Sequence, residues 1–364
     1  MIPYAILGTN WISGEFYAAS LCSDLELRGI CSRTRETGQA FAHKIGRPDT
    51  PVYPGVEDLA AAPDIEAVYI ASPNSLHAPQ SEVLLRAGKH VLCEKPIVTR
   101  PQDLERLQAL ARESGLVYME AIMYLCTPAR RAVKQALPEL GEITSAHFDF
   151  SQLSSRYDEL AAGDIPNVFL PGMGGGAWND LGIYCMYPAL DFFFGQPQLA
   201  VPPLDIQAQT RLLPGGPGCS GVDGAGAALL QYPGAPGETA VSLGWNTGAP
   251  GESAVSLGWN TVCPVTLTWS KLGQSHGVSQ IMGTKGTITI QSISQFQGIT
   301  FHPRRAAPRE LAPFEQNRHR DTMRHEARAF CDYIAARPAA VPYEESSALA
   351  LAVARAMEDV RQAW

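Results

Sequence analysis

The sequence predicts an α/β region with a doubly wound parallel sheet, followed by an α+β region with a large open, mostly antiparallel sheet. Three observations carry this. Through about residue 120, short apolar runs alternate with amphipathic stretches, the pattern of a parallel sheet covered on both faces. From Ile143 strand-like runs cluster with one clear helix among them, as in an antiparallel sheet with helices on one face. The chain has 364 residues, enough for two cores, expected at 1–121 and 122–364.

In order, strands are expected at 4–7, 27–31, 67–71, 91–93 and 117–119. Helices are expected near 15–21, 37–45, 79–87 and 101–114. The last carries Leu104, Leu107, Leu110 and Ala111 as an apolar stripe with Pro101 at its start, where proline is tolerated. A connecting helix spans 130–137. Strands follow at 143–151, 205–212, 227–232, 240–246, 254–260, 265–270, 278–282 and 287–290, and closing helices at 318–336 and 344–363. Residues 235–247 and 249–261 are a tandem repeat, identical except for Thr239 against Ser253. The offset of 14 is even, so both copies keep the same side chains on one sheet face. The plain reading is a local duplication that lengthens a hairpin; a lengthened edge serving subunit contact is the alternative.

Hydrophobic content of 45% and charged content of 18% are those of a globular protein. A net charge of −8 argues against nucleic-acid and anionic-membrane partners. The eight cysteines are scattered without a Cys-x-x-Cys pair and read as free thiols in a reducing compartment. The first strand begins almost at Met1 and no apolar run approaches a membrane span. A cytoplasmic location is expected.

Chemistry concentrates at four places. Gly8-Thr9-Asn10-Trp11-Ile12-Ser13-Gly14 stands between a strand and a helix, the setting of a dinucleotide fingerprint. Asn10 and Ser13 replace its second and third glycines. Asparagine tolerates left-handed backbone, serine is small enough for close packing, and phosphate can sit at the helix N-terminus. Where an acid usually holds the ribose, the chain has Cys31-Ser32-Arg33. A guanidinium beside a hydroxyl favours a 2′-phosphate, so NADP(H) is expected before NAD(H). Ser72-Pro73-Asn74-Ser75-Leu76-His77 follows the third major strand, at the carboxyl edge where ligands bind; a solvated loop is the plainer reading of His77. No histidine pair has zinc-ligand spacing, and no metal is expected.

The remaining two places supply acid–base groups. His90-Val91-Leu92-Cys93 ends in Glu94-Lys95-Pro96, and Gly174-Gly175-Gly176 leads to Asp180 and Tyr184. As a helix entered from a glycine loop, the latter puts Asp180 and Tyr184 a turn apart on one face. Taken singly, Lys95 reads as a strand-end lysine, Asp180 as a first-turn acid and Tyr184 as a core aromatic. Together they are the parts needed to move a proton on and off an alcohol.

These segments, with Met282-Gly283-Thr284-Lys285-Gly286-Thr287, resemble the glucose–fructose oxidoreductase/inositol dehydrogenase (Gfo/Idh/MocA) family over nearly the whole chain. The resemblance implies a Rossmann domain and an open-sheet domain whose face makes a homodimer or higher oligomer. It also implies oxidation of a sugar or polyol carbon, with Lys95 beside nicotinamide and substrate and Asp180 placing the reacting carbinol. Tyr184 resembles the glucose–fructose oxidoreductase/dihydrodiol dehydrogenase branch. Leu125 and Thr127 stand where the family commonly has arginine and histidine. On this reading Tyr184 exchanges the hydroxyl proton and Lys95 lowers its pKa, with Asp180 keeping Lys95 charged. The rivals are a non-catalytic dinucleotide or sugar sensor and a glycosidase that uses NAD catalytically.

Overall fold

The computed structural model describes residues 1–193, 205–213, 221–233, 262–313 and 319–364. The N-terminal sheet is built from β1 (Ile2–Leu7), β2 (Leu25–Cys31), β3 (Val52–Tyr53), β4 (Ala67–Ile70), β5 (His90–Glu94) and β6 (Tyr118–Ala121). Its strands are parallel, in the order β3-β2-β1-β4-β5-β6. The order reverses between β1 and β4, which opens a crevice at their carboxyl ends. Burial on both faces explains the near-continuous apolar runs: every residue of Ala67–Ile70 is buried. The covering helices are α1 (Trp11–Ser20), α2 (Arg35–Lys44), α3 (Val56–Ala61), α4 (Asn74–Arg86) and α5 (Pro101–Glu113). The sequence reading omitted β3 and α3, a two-residue edge strand and a single-turn-scale helix too short for periodicity to register.

After α6 (Pro128–Ala136) come β7 (Ile143–Ser151), the short α7 (Tyr157–Ala161) and α8 (Ile183–Asp191). The strands β8 (Asp205–Leu212), β9 (Asp223–Pro233), β10 (Val262–Ser270), β11 (Ser279–Gly283), β12 (Gly286–Ser292), β13 (Gln297–Pro303) and β14 (Arg309–Ala312) complete the second sheet. Its order is β14-β13-β12-β11-β7-β10-β9-β8. Only the β7–β10 pairing is parallel. In β10, Val265, Leu267 and Trp269 are buried while Thr266 and Thr268 face the other way, the alternation of a sheet covered on one side. β13 and β14 were missed because polar residues break up their apolar pattern. The tandem repeat at 235–261 lies outside the described residues.

Two closing helices, α9 (His319–Ile334) and α10 (Tyr343–Gln362), return to the N-terminal half. Tyr118 N donates to Tyr343 Oη at 2.9 Å, and Gln108 Nε2 to the Ser347 carbonyl at 2.8 Å. One hydrophobic core runs from Tyr4 and Phe16 through Trp178 and Tyr187 to Trp269 and Ile288. The crevice above the first sheet therefore has a fixed second wall. Among the described residues no helix is long and apolar enough to cross a membrane, and seven cysteines are free thiols.

Candidate active site

A cavity of about 550 Å³ lies between the carboxyl ends of β1, β4 and β5 and the second sheet. Asn10, Trp11, Ile12, Ser72, Asn74, His77, Glu94, Lys95, Asp180 and Tyr184 all line it. Gly8, Thr9, Ser32, Arg33 and Pro73 follow the same carboxyl edge but do not form its wall. Arg33 is exposed and Ser32 is buried, its hydroxyl 2.6 Å from that of Thr37.

The first loop holds its shape by close backbone packing. Gly8 has φ +104°, and a Cβ there would lie 2.5 Å from the Ala71 carbonyl oxygen, so only glycine fits. Asn10 is not left-handed, which corrects the expectation; its φ of −79° and ψ of −176° are extended. It acts instead as the N-cap of α1. Its Oδ1 accepts from Ser13 N at 3.1 Å and Ser13 Oγ at 3.0 Å, and its Nδ2 donates to the Ala71 carbonyl at 2.8 Å. Capping costs no left-handed strain and satisfies a helix-end donor.

His77 is fully buried rather than solvated. Its Nδ1 lies 2.8 Å from the Pro96 carbonyl and its Nε2 2.8 Å from the Ser72 carbonyl. It ties the loop after β4 to the loop after β5, and burial pushes its pKa below the usual imidazole value. Glu94 accepts from Tyr69 Oη at 2.5 Å, and burial holds its carboxyl above the ordinary range.

Lys95 Nζ meets Asp180 Oδ1 at 2.6 Å and the Asp180 carbonyl at 2.9 Å. Lys271 Nζ, from the residue after β10, pairs with Asp180 Oδ2. Burial alone would raise Asp180, but the two ammonium groups outweigh it and hold the carboxyl well below its usual range. Burial likewise works against charge on Lys95, and Asp180 with Tyr184 and Glu94 more than compensates, so its pKa is raised. Lys271 was not singled out from the sequence. In Trp269-Ser270-Lys271 it has the signature of any strand-end lysine, and only sheet pairing brings it to Asp180.

Asp180 and Tyr184 do not share a regular α-helix. Trp178–Gly182 is a π-helical turn leading into α8, and such turns recur at functional sites. Asp223 Oδ2 anchors the turn by accepting from Trp178 N at 2.7 Å and Trp269 Nε1 at 2.8 Å. Lys95 Nζ sits 4.9 Å from the Tyr184 ring centroid, while Phe150 packs edge-on against that ring at 5.4 Å. Burial raises the Tyr184 pKa despite Lys95. The expected lowering is therefore overridden here: the ammonium lies over the ring and desolvation wins.

Leu125 is buried in the core and Thr127 caps α6, accepting from Arg130 N at 3.3 Å. Both therefore serve local structure, one in packing and the other in capping. Among the described residues no group of three or more His, Cys, Asp or Glu could hold a metal ion.

Residues 2–122 match the model of an oxidoreductase family with an NAD-binding Rossmann fold. The chain is 32% identical to the uncharacterized oxidoreductase YgjR of Escherichia coli K12, over 92% of this chain and 88% of that protein. It is 33% identical to scyllo-inositol 2-dehydrogenase (NADP(+)) IolU of Bacillus subtilis 168, over 80% of this chain and 77% of that protein. In fold it is similar to KijD10, a 3-ketoreductase from Actinomadura kijaniata solved with NADP and TDP-benzene. The TM-score is 0.73 at 23% identity, covering 100% of this chain and 97% of that one. The shared fold, the match over its N-terminal sheet and the full-length relatives agree: the chain belongs to the Gfo/Idh/MocA family of oxidoreductases.

Proposed function

We propose that this oxidoreductase moves a hydride between a nicotinamide dinucleotide, NADP(H) before NAD(H), and a secondary alcohol or hemiacetal carbon of a sugar, polyol or cyclic diol. One observation carries the reading: Lys95, Asp180 and Tyr184 share a single cavity with the N-terminus of α1. The residues present fit the dinucleotide. A ten-residue helix, entered from a loop that only glycine can begin, faces one end of the cavity, a site suited to phosphate. Arg33 stands exposed at the end of β2, where a 2′-phosphate would lie. IolU carries NADP(+) in its name and the KijD10 structure contains NADP, which supports the preference.

The hydride chemistry is what nicotinamide supplies when bound. Tyr184 gives its proton to the carbonyl oxygen in reduction, and its raised pKa keeps it protonated for that role; in oxidation it first loses that proton to solvent and then accepts the hydroxyl's. Lys95 stabilises the negative charge that develops beside it, and Asp180 keeps that ammonium ionised and orients it. Met123, Phe150, Gln152 and Ser294 line the remaining wall, a mixture of apolar and hydrogen-bonding surface that suits a polyol with a hydrocarbon face.

Three further assignments belong to the same reading. Residues 1–121 form the dinucleotide-binding domain and 122–364 the substrate domain. The face of the second sheet where Gln207, Gln209, Thr266 and Thr268 form a shallow groove makes a homodimer or higher homo-oligomer. The seven free thiols are those of a cytoplasmic protein.

The test is a screen of purified protein with NADP⁺ and NAD⁺ against aldoses, inositols and cyclic diols, following nicotinamide absorbance. The expected result is turnover with at least one of these, faster with NADP⁺. Saturable binding without turnover on any of them would make the protein a sensor. Release of a leaving group with no net cofactor consumption would make it a glycosidase.

A further inference from the structure

Glu120 lies on β6, behind the cavity rather than on its wall, and is 5% exposed. Its Oε1 accepts from the backbone N–H of Ile97 at 2.8 Å, and its Oε2 accepts from the hydroxyl of Tyr187. Ile97 is two residues past Lys95, and Tyr187 is three residues past Tyr184 on α8. One carboxylate therefore ties down both the loop that delivers the ammonium and the helix that delivers the phenol. The loop follows a strand of the first sheet whereas α8 packs on the second, and the two catalytic candidates meet only if their distance is held.

A buried carboxylate with no cation in contact is costly, so its two donors must compensate. Burial pushes Glu120 up to about 7, against the opposing effect of Tyr187 and Ile97. The titratable groups facing it are Tyr118 on its own strand, Cys93, Glu94 and Lys95 from the β5 side, and Tyr187 from α8. Glu120 borders a separate small cavity that Arg361 of α10 also lines, and Arg361 is engaged by Glu358 and Asn179. Cys93, Tyr118 and Tyr187 are all driven well above their ordinary pKa by burial and stay protonated near neutrality.

We propose that Glu120 is a positioning residue: its carboxylate sets the separation of Lys95 and Tyr184 by bracing the Lys95-Pro96-Ile97 loop against α8. The proposal rests on the reading that Lys95 and Tyr184 act together. Protonation replaces a charged acceptor by a neutral one, and hydrogen bonds to charged groups are about twice as strong. The brace therefore weakens as pH falls.

The experiment compares wild type, Glu120→Gln, Glu120→Ala and Tyr187→Phe in kcat, cofactor KM, pH profile and amide hydrogen exchange of the 95–98 segment. Glu120→Ala is expected to lose on the order of tenfold to a hundredfold in kcat, with cofactor KM within about twofold and faster exchange at 95–98. Tyr187→Phe is expected to lose less. Wild-type kcat should fall as pH drops through about 7, and Glu120→Gln, which keeps an acceptor but cannot titrate, should lack that limb. An unchanged limb in Glu120→Gln, or wild-type kcat in Glu120→Ala, overturns the proposal. Should Glu120→Ala not fold, the Gln profile decides. Should wild type turn over no alcohol, the proposed function fails, while unchanged exchange at 95–98 in the variants would sink the brace separately.

Discussion

Asp191 and Asp180 each hold two cations, and of the pair only Asp180 lines the active-site cavity. Asp191 takes Arg130 through two contacts of 2.6 and 2.7 Å and Lys134 at 2.7 Å, and Arg130 continues to Glu345 at 2.7 Å. Its side chain is 3% exposed, with Tyr124 Oη as a further donor at 3.3 Å. Asp180 pairs with Lys95 and Lys271, but its side chain is 29% exposed and lines the cavity. The Asp191 cluster meets solvent through Lys134 and Glu345, keeps Asp191 itself covered, and joins α6, α8 and α10. The Asp180 cluster is equally strong in charge yet open to a ligand. Buried charge by itself does not mark a functional site; an opening onto space does.

The comparison breaks most visibly at Lys95. Lys95→Ala and Tyr184→Phe are expected to lose about 10²–10⁴ in turnover with dinucleotide binding retained, read by steady-state kinetics and fluorescence titration. Wild-type turnover in either variant would place the Asp180 cluster beside Asp191 as scaffolding. Arg130→Met should act in the opposite sense. Removing one partner of a buried pair costs about 3–5 kcal/mol of stability, measured by denaturant unfolding, while the folded enzyme keeps its kcat. Lys271→Met separates charge from contact and should slow turnover by about tenfold, roughly 1.4 kcal/mol. With one cation gone, the depressed Asp180 pKa rises towards its ordinary value, which still lies below the limb assigned to Glu120, so the acid limb of kcat is expected to stay in place.

A third acid completes the series. Glu326 on α9 is fully buried, and among the described residues neither of its oxygens has a hydrogen-bond partner. Burial, with Glu94 nearby, holds its pKa well above the usual range. A carboxyl raised on folding is destabilising once pH exceeds its unfolded value, because the unfolded chain then releases the proton and the native state does not. Glu326→Gln should stabilise the protein by on the order of 1 kcal/mol, more at about pH 8 than at about pH 5. A pH-independent effect in thermal melts would remove Glu326 from the series.

What could be read from the chain alone follows how local each signal is. Gly8, the Glu94-Lys95-Pro96 run and the Gly174–Tyr184 stretch each carry their message within a few residues, so the parallel sheet and three side chains that share the cavity were legible. Lys271 and Glu120 were not, because their roles depend on partners 91 and 67 residues away in sequence, Asp180 and Tyr187. The cap at Asn10 was misread for a related reason: it stands where the fingerprint has glycine, and its hydrogen bond to Ser13 accounts for it instead. The π-turn was hidden because its residue spacing is also that of an ordinary helix.

The carbonyl of Gly174 accepts from Asn74 Nδ2 at 3.0 Å, at the start of α4, and from Asn179 Nδ2 at 3.0 Å, in the π-helical turn. Gly174 has φ +67°, and a Cβ there would come within 2.9 Å of Thr99 and 3.0 Å of Asn74. A single oxygen thus rivets the two halves together at the rim of the crevice. Swinging them apart would sacrifice the bond from Asn74, worth about 1 kcal/mol net, while the bond from Asn179 fixes the glycine loop on its own side. That bond biases the aperture towards this width before any guest arrives.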